Sequence, residues 1–377
     1  MEICGESDTR RPKTIFKGIT MERSDIDNWL RRSRQFALGG AVALVTAVFT
    51  VGCGGGSSST NDGSNGGGGG TTPPPSGEIS SQDIAVEVSS LAFEFEDYAS
   101  LLDEAALGTE DPGAVVPLSI DAGASDNHLV SVTRSILNLT KDAGEIGIQA
   151  TVEGFCDTGT VDVTENANGY EIVFDQCQSE LLGTTFEYNG NTTYEKRENG
   201  GTLTYEGFQS SLSKTGDTLT IVANGTIDLV VTEAIVGAGK VTLDLSYDLS
   251  VACGGAEASG SFTYDNLVIE VATDGATTIG GGLSFSFTDA DGSVASAVVT
   301  IATVEPIRFD DVFSEYPSSG KINVTTNGET IAIEYVEGGV FIDGEFVSWE
   351  EIEAGLGEED FDSVFDQCSF FDFESAV

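Results

Sequence analysis

Residues 240–251 read Lys-Val-Thr-Leu-Asp-Leu-Ser-Tyr-Asp-Leu-Ser-Val, with an apolar side chain at every second position. A β-strand turns successive side chains to opposite faces, so this alternation predicts a strand with one buried and one solvated face. From residue 145 onward, similar runs rich in Thr, Val, Ile, Tyr and Phe are separated by Asn-Gly, Asp-Gly and Gly-Gly turns. Besides 240–251, the predicted strands are 158–164, 170–174, 202–208, 217–223, 226–231, 260–271, 277–287, 294–304, 320–325, 330–336 and 339–342.

Strands that follow one another through short turns form an antiparallel meander. Several of these strands exceed the ordinary length of about five or six residues, which indicates a large sheet or a barrel. Two helices are predicted ahead of them, over residues 82–107 and 127–141, because apolar side chains recur there at helical spacing. A short helix is predicted over 349–356, behind the capping-box spacing of Ser348 and Glu351. The predicted fold class is α+β, predominantly β, with the N-terminal helices packed against the sheet.

The chain is strongly acidic, with 62 Asp and Glu against 16 Lys and Arg and a formal net charge of −46. Residues 1–52 hold six of the acidic and eight of the basic side chains, which leaves 56 acidic and 8 basic side chains in the rest. A polyanion of this size repels phosphate backbones and anionic lipid surfaces, so the composition argues against nucleic-acid binding. It favours solubility at high ionic strength, with binding of divalent cations as the alternative interpretation.

The N-terminus has the organisation of an export signal. A segment with three arginines, residues 29–36, precedes an uncharged apolar run, 36–51. That run is too short for a comfortable membrane-spanning helix. Residues 1–52 are therefore predicted to be a signal peptide, for which Met21 is a more ordinary start than Met1. Residues 53–77 are rich in Gly, Ser, Thr and Pro and predict a flexible linker. Residues 78–377 remain for a single acidic, β-rich domain.

The junction Phe-Thr-Val-Gly-Cys at 49–53 resembles a lipobox, where lipoprotein signal peptidase cuts before a cysteine that carries diacylglycerol. This junction and the tether resemble those of bacterial secreted lipoproteins. The resemblance implies lipidation of Cys53 and anchoring to a membrane of the cell envelope through that lipid. Gly54 stands where many such proteins have an aspartate that signals inner-membrane retention, which favours the outer membrane, on its periplasmic or surface side. The alternative is a secreted protein whose Cys53 is not modified.

Four cysteines follow in the predicted domain, Cys156, Cys177, Cys253 and Cys368. An even number of cysteines in an exported chain predicts two disulfides. Residues 158–164 and 170–174 flank a turn, and a hairpin in which residue 164 opposes residue 169 also places Cys156 opposite Cys177. Cys253 is then left to pair with Cys368. The cysteine spacing contains no Cys-x-x-Cys motif, which argues against zinc.

The sequence offers few catalytic groups. His128 is the single histidine, and its place near the start of the second predicted helix favours a capping or surface role. Asp289, Asp291 and Ser293 belong to an Asp-x-Asp-Gly-Ser stretch, which favours a hairpin turn, with calcium binding as the alternative. No catalytic residue is predicted, and calcium at this turn is the one cofactor that the sequence suggests.

These features predict a non-enzymatic lipoprotein that acts as a binding or structural interaction module, with an unknown envelope or extracellular partner. A carrier of a lipid or other apolar ligand is an alternative, and it needs more apolar inward positions than the helices fill. An enzyme acting on polysaccharide is a second alternative, and it needs exposed aromatic rings beside paired carboxylates. The alternation leaves open which face carries the candidate rings Tyr188, Tyr194, Tyr205, Phe208, Tyr264 and Trp349.

Overall fold

In the computed structural model, the described residues lie between 81 and 352. They are 81, 84–86, 88–89, 98–102, 105, 128–146, 149–151, 156–181, 183–232, 237–288, 292, 294–310 and 316–352. Most of them belong to β-strands, so the fold is predominantly β, as the sequence predicts.

Fourteen strands form one sheet, and each strand pairs antiparallel with its neighbours in the chain. The strands are β1 (Gln149–Thr151), β2 (Thr158–Asn166), β3 (Gly169–Leu181), β4 (Thr184–Arg197), β5 (Gly200–Lys214), β6 (Asp217–Val231), β7 (Gly239–Cys253), β8 (Ala256–Val271), β9 (Thr277–Thr288), β10 (Val294–Arg308), β11 (Ser319–Thr326), β12 (Glu329–Val336), β13 (Gly339–Ile342) and β14 (Glu345–Ser348). Among the described residues, β1 and β14 each pair with one neighbour. The predicted antiparallel meander is confirmed.

Two Asn-Gly pairs lie inside strands instead of at turns. The sequence predicts a break between residues 223 and 226 at Asn224-Gly225, but β6 continues through it from Asp217 to Val231. This prediction is wrong. Asn189-Gly190 lies in the same way within β4, a strand that the alternation does not predict.

A row of backbone irregularities crosses the sheet from β3 to β9. The register shifts between most neighbouring strands along this row, and residues there adopt positive φ angles. We call the row the glycine seam; its positive-φ residues are Gln176, Gly190, Gly207, Gly225, Asn266 and Gly281. A β-bulge bends its strand and increases the local twist, so bulges aligned across several strands bend the sheet along one line.

The two Asn-Gly pairs stabilise this seam. The backbone N–H of Gln176 in β3 donates to Oδ1 of Asn189 in β4 at 2.7 Å, and the N–H of Gly207 in β5 donates to Oδ1 of Asn224 in β6 at 2.8 Å. Each asparagine therefore satisfies an N–H that a bulge on the neighbouring strand removes from the regular ladder. The glycine that follows each asparagine supplies the positive φ angle.

Helical residues cover the inner face of the sheet, by which we mean the face that carries the buried side chains. Every described residue between 81 and 105 is helical, and α1 (His128–Ile146) confirms the second predicted helix and continues it to residue 146. The ring of Tyr98 packs edge-on against that of Tyr264 in β8, with centroids 6.1 Å apart. Arg134 of α1 donates to the hydroxyl of Ser100 at 2.8 Å, so the two helical segments contact each other as well as the sheet.

At the other end of the sheet, residues 349–352 are helical and Ser348 caps them, as the sequence predicts. The N–H and the hydroxyl of Ser348 both donate to the Glu351 carboxylate at 2.8 Å, and the Glu351 N–H donates back to the Ser348 hydroxyl at 3.2 Å. The two bonds from Ser348 hold the pKa of Glu351 below its usual value, because they stabilise the charged carboxylate. The Trp349 ring stacks on Tyr316 and Tyr335, at centroid distances of 5.2 and 6.3 Å, and so connects this short helix to β12.

Candidate functional site

The large aromatic side chains of the sheet form a packed core. The six rings whose orientation the alternation leaves open are all buried, with exposed fractions from 1% to 7%. Phe208 lies at the centre of one group, with its ring centroid 5.3 Å from that of Phe174 and 5.6 Å from that of Tyr205. In a second group, Tyr247 of β7 stacks on Phe262 of β8 at 5.1 Å. None of these rings is presented at the surface to a sugar or another ligand.

One hydrogen bond joins α1 to the sheet within this core. Thr133 of α1 and Tyr205 of β5 share it, with their hydroxyl oxygens 2.6 Å apart and both side chains buried. Burial raises the pKa of the Tyr205 phenol, and the bond to Thr133 partly opposes that rise. The phenol therefore stays protonated at neutral pH, and the pair fixes the position of the helix on the sheet.

Replacing Tyr205 with phenylalanine is expected to lower the free energy of unfolding by about 1–3 kcal/mol, because it removes this bond from a dry core. The matched control is Tyr335→Phe. The Tyr335 hydroxyl is equally buried but has no hydrogen-bond partner among the described residues, so its removal should leave stability unchanged or raise it. Urea unfolding measures both variants, and equal losses would argue against a stabilising role for the Thr133–Tyr205 bond.

A disulfide joins Cys156 to Cys177, with their Cα atoms 5.3 Å apart. The hairpin prediction selects this pair, but the register on which it rests is wrong. Thr164 opposes Glu171 instead of residue 169, and Cys156 lies before β2, which begins at Thr158. The register shifts again at the start of β2, where Thr158 lies opposite Gln178, so the ladder itself does not place Cys156 opposite Cys177, and the disulfide forms from a cysteine that precedes the strand.

Several predicted residues lie outside the described part of the chain. Cys253, at the end of β7, is disulfide-bonded, and its partner is outside the described residues. Its pairing with Cys368 stays a prediction. The other predicted residues beyond the described ranges are the lipidation site Cys53 and the calcium candidates Asp289, Asp291 and Ser293.

The described residues contain no group of three or more His, Cys, Asp or Glu side chains that could hold a metal ion. None of the helices in this part of the chain is long and apolar enough to cross a membrane. His128 is the first residue of α1, in agreement with the predicted position near a helix start.

The outer face of the sheet carries the side chains that alternate with the buried ones. Over much of its width this face is charged, and β7 and β8 each have three charged outward positions. These are Lys240, Asp244 and Asp248 on β7 and Glu257, Asp265 and Glu270 on β8. Such a surface is well solvated, and it repels other acidic molecules.

The outward positions of β9, and those of β10 from Val294 to Val304, differ from this pattern because none of them carries a charge; the charged residues of β10, Glu305 and Arg308, lie beyond Val304. We call these uncharged positions the valine patch; they are Thr278, Gly280, Gly282, Ser284, Ser286, Thr288, Val294, Ser296, Val298, Thr300, Ala302 and Val304. Val294, Val298 and Val304 are exposed to 48%, 70% and 52%, and they are half of the six large apolar side chains exposed in the described part of the chain. The three valines are separated by Ser296, Thr300 and Ala302, but they share one strand of an uncharged surface, so this patch is the candidate functional site.

No known protein family, curated protein or solved structure matches this chain. The function is therefore inferred from the chemistry of the fold and of the patch.

The sequence carried a signal for the valine patch that the strand predictions did not use. Residues 277–288 and 294–304 contain no charged side chain, although 21% of the chain is charged. Alternation alone distinguishes the two faces of a strand, but it does not compare the outer faces of different strands. That comparison requires the strand order, which places β9 beside β10.

Proposed function

We propose that this chain is a lipid-anchored protein of the bacterial cell envelope whose sheet domain acts as a non-enzymatic interaction module. The observation that carries the proposal is the disulfide between Cys156 and Cys177. Stable disulfides form in oxidising compartments such as the periplasm and the cell surface, and are rare in the cytosol. The bonded state of Cys253 supports the same compartment.

The anchoring part of the proposal rests on the N-terminal sequence. A basic segment, a short apolar run, Gly52-Cys53 and a Gly/Ser/Pro tether follow one another in the order expected for a lipoprotein. A tether of this composition holds the folded domain away from the membrane and leaves it free to turn. We propose the outer membrane as the location, because glycine follows Cys53.

The packing of the inner face favours an interaction module over the alternative functions. Tyr98 and Thr133 of the helical segments contact Tyr264 and Tyr205 of the sheet, where a carrier would place its apolar ligand. The buried aromatic rings also give little support to a polysaccharide-acting enzyme, which holds its substrate on exposed rings. The outer face is the surface that is available to a partner, and the valine patch is its apolar part.

Metabolic labelling with radioactive palmitate in a bacterial host tests the anchoring. We expect the chain to incorporate label and to sediment with the membrane fraction, and Cys53→Ser to abolish the labelling and to keep the leader uncleaved. Cys4→Ser is the matched control, because Cys4 lies within the predicted leader, and it should leave labelling unchanged. A chain that is exported and oxidised but unlabelled would contradict the anchor, and a chain with free thiols would contradict the compartment as well.

A further inference from the structure

We propose that Asn327-Gly328, at the turn between β11 and β12, is a site of spontaneous deamidation in the folded protein. The four other Asn-Gly pairs in the described part of the chain, at residues 168, 189, 199 and 224, are protected from this reaction. The proposal goes beyond the function proposed above, and it does not depend on the anchor, the compartment or the partner. It rests on the different surroundings of the five pairs.

Deamidation of an Asn-Gly pair is a reaction within the chain. The backbone nitrogen of Gly328 attacks the side-chain carbonyl carbon, Cγ, of Asn327. The new N–Cγ bond replaces the bond from Cγ to Nδ2, and the side-chain nitrogen leaves as ammonia with the proton of the Gly328 N–H. The resulting succinimide ring takes up one water molecule and opens to aspartate or isoaspartate. Glycine permits this approach best, because it has no Cβ atom to hinder it.

The reaction requires freedom of the backbone around the pair. The asparagine side chain and the N–H that follows it must turn towards each other, so a pair that is held in place reacts only after the structure opens locally. The rate then falls in proportion to the open fraction, and a segment that is open for about one part in a hundred reacts about a hundredfold more slowly. The contacts of each pair therefore decide its reactivity.

The two pairs of the glycine seam are held by the neighbouring strands. The Asn224 side chain accepts a backbone N–H of β5 at 2.8 Å, and Gly225 is paired with β5 on one side and with β7 on the other. The Asn189 side chain is held at both ends, because Oδ1 accepts a backbone N–H of β3 at 2.7 Å and Nδ2 donates to Glu187 at 2.6 Å. Attack at either asparagine would require neighbouring strands to separate.

Two of the three pairs at turns are also held, because a third strand contacts each of them. The carbonyl oxygen of Asn168 accepts a backbone N–H of β4 at 2.9 Å, and that of Asn199 accepts a backbone N–H of β6 at 3.0 Å. The glycines that follow lie close to the same third strands. A Cβ atom built on Gly169 or Gly200 would lie 1.9 or 2.0 Å from a backbone carbonyl oxygen there. These two turns cannot move without disturbing that strand.

The turn at Asn327-Gly328 differs in each of these respects. Both residues are exposed, and with φ angles of 50° and 81° they form a two-residue turn between the paired residues Thr326 and Glu329. Among the described residues, no backbone hydrogen bond links this turn to a third strand, and a Cβ atom built on Gly328 would meet nothing within 4 Å. Opening this turn therefore disturbs only the last pairing of one hairpin.

An isoaspartate at this turn would change a contact between the sheet and the N-terminal helical residues. In isoaspartate the main chain runs through the side-chain carbon, which adds one methylene group to a turn of only two residues. Glu329, the first residue after the turn, accepts a hydrogen bond from the Ser81 hydroxyl at 2.7 Å. A longer turn moves Glu329 relative to Thr326 and weakens this contact, so the modification should lower the stability of the protein.

Peptide mapping of the exported, oxidised chain after incubation at mildly alkaline pH tests the proposal. We expect Asn327 to be lost at least about tenfold faster than each of the other four asparagines, with aspartate and isoaspartate peptides in its place. The same chain unfolded in guanidinium chloride is the control for intrinsic reactivity, and there the five pairs should react at similar rates. Equal rates in the folded chain, or a faster reaction at Asn189 or Asn224, would overturn the proposal.

Gly328→Asn is the matched variant, and it distinguishes the succinimide route from other damage at this turn. Asparagine also adopts positive φ angles and fits the open space at position 328, but its side chain hinders attack by its own backbone nitrogen. The variant should lose Asn327 at least about tenfold more slowly, and its melting temperature should stay constant during an incubation that lowers that of the unsubstituted chain. An unchanged rate at Asn327, or equal decreases in the two melting temperatures, would contradict the proposal.

Discussion

Replacing Gly225 with alanine is expected to lower the free energy of unfolding by at least about 3 kcal/mol. The φ angle of Gly225 is 120°, a conformation that residues with a side chain rarely adopt. A Cβ atom there would lie 2.2 Å from the carbonyl oxygen of Asp244 and 2.8 Å from the Cα of Leu245, both on the neighbouring strand. Because these are backbone atoms, β7 would have to move away from β6, and the glycine seam would open at its centre.

The matched control is Gly280→Ala in β9. That substitution adds the same methyl group to a strand glycine whose backbone and surroundings accept it, so stability should stay constant or rise by up to about 1 kcal/mol. Chemical unfolding of the two variants, followed by circular dichroism, measures the difference. If both cost the same, the seam would not be a site of backbone constraint.

The second large effect is expected from the disulfide at Cys177, which directly follows the seam residue Gln176 on β3. Replacing Cys156 and Cys177 together with alanine should lower the free energy of unfolding by about 3 kcal/mol, because the bond closes a loop with a sequence separation of 21. For a domain of this size, such a loss corresponds to a decrease in melting temperature of about 5 °C. Cys177 is buried, so alanine is a better replacement than serine, which would bury a new hydroxyl group.

Cys53→Ser is the control for the disulfide variant, since it removes a cysteine without removing either predicted bond. Differential scanning calorimetry compares the two, and a double variant that melts with the control would contradict a stabilising role for the bond. Peptide mapping without reduction identifies the pairs directly. It should recover Cys156 with Cys177 and Cys253 with Cys368, and any other partner for Cys253 would contradict the predicted pairing.

Alternation was sufficient to predict most of the sheet, because it reports which positions of a strand are buried. In β7 the buried residues fall on every second position from Gly239 to Cys253, as the apolar pattern of 240–251 requires. The alternation breaks at the seam. A bulge there inserts one residue into the strand, so the inward-facing side chains shift from even to odd positions or the reverse. In β5, Tyr205 and Phe208 both point inward although they are three residues apart, since Gly207 lies between them in a bulge.

Asn-Gly shows why local signals mislead here. The pair favours the positive φ angles of a tight hairpin turn, and a bulge inside a strand needs the same backbone property. At Asn189 and Asn224 the bulge is favoured over a turn by a partner on the neighbouring strand, whose backbone N–H donates a hydrogen bond to the asparagine side chain. That partner is 13 residues away in one case and 17 in the other, so no short window of sequence contains it.

The candidate site was less predictable than the fold. Rings such as Tyr188 and Tyr264 could have formed a binding platform, but the structure places them in the core. The valine patch is recognised by the absence of charged side chains. Its residues, Ser, Thr, Gly, Ala and Val, are each ordinary in a strand. The patch becomes distinct only by comparison with the neighbouring strands, where outward carboxylates such as Asp244 and Asp265 are frequent.

The order of the strands has a consequence for how this chain reaches its folded state. Because every strand pairs with the strands just before and after it, each pairing step closes only one hairpin loop. The entropy lost in closing a loop grows with its length, so none of these steps has to wait for a distant part of the chain. The sheet can grow strand by strand as the polypeptide emerges from a ribosome or a secretion channel. In a half-emerged chain, the first strands can already be paired with the same neighbours as in the complete sheet.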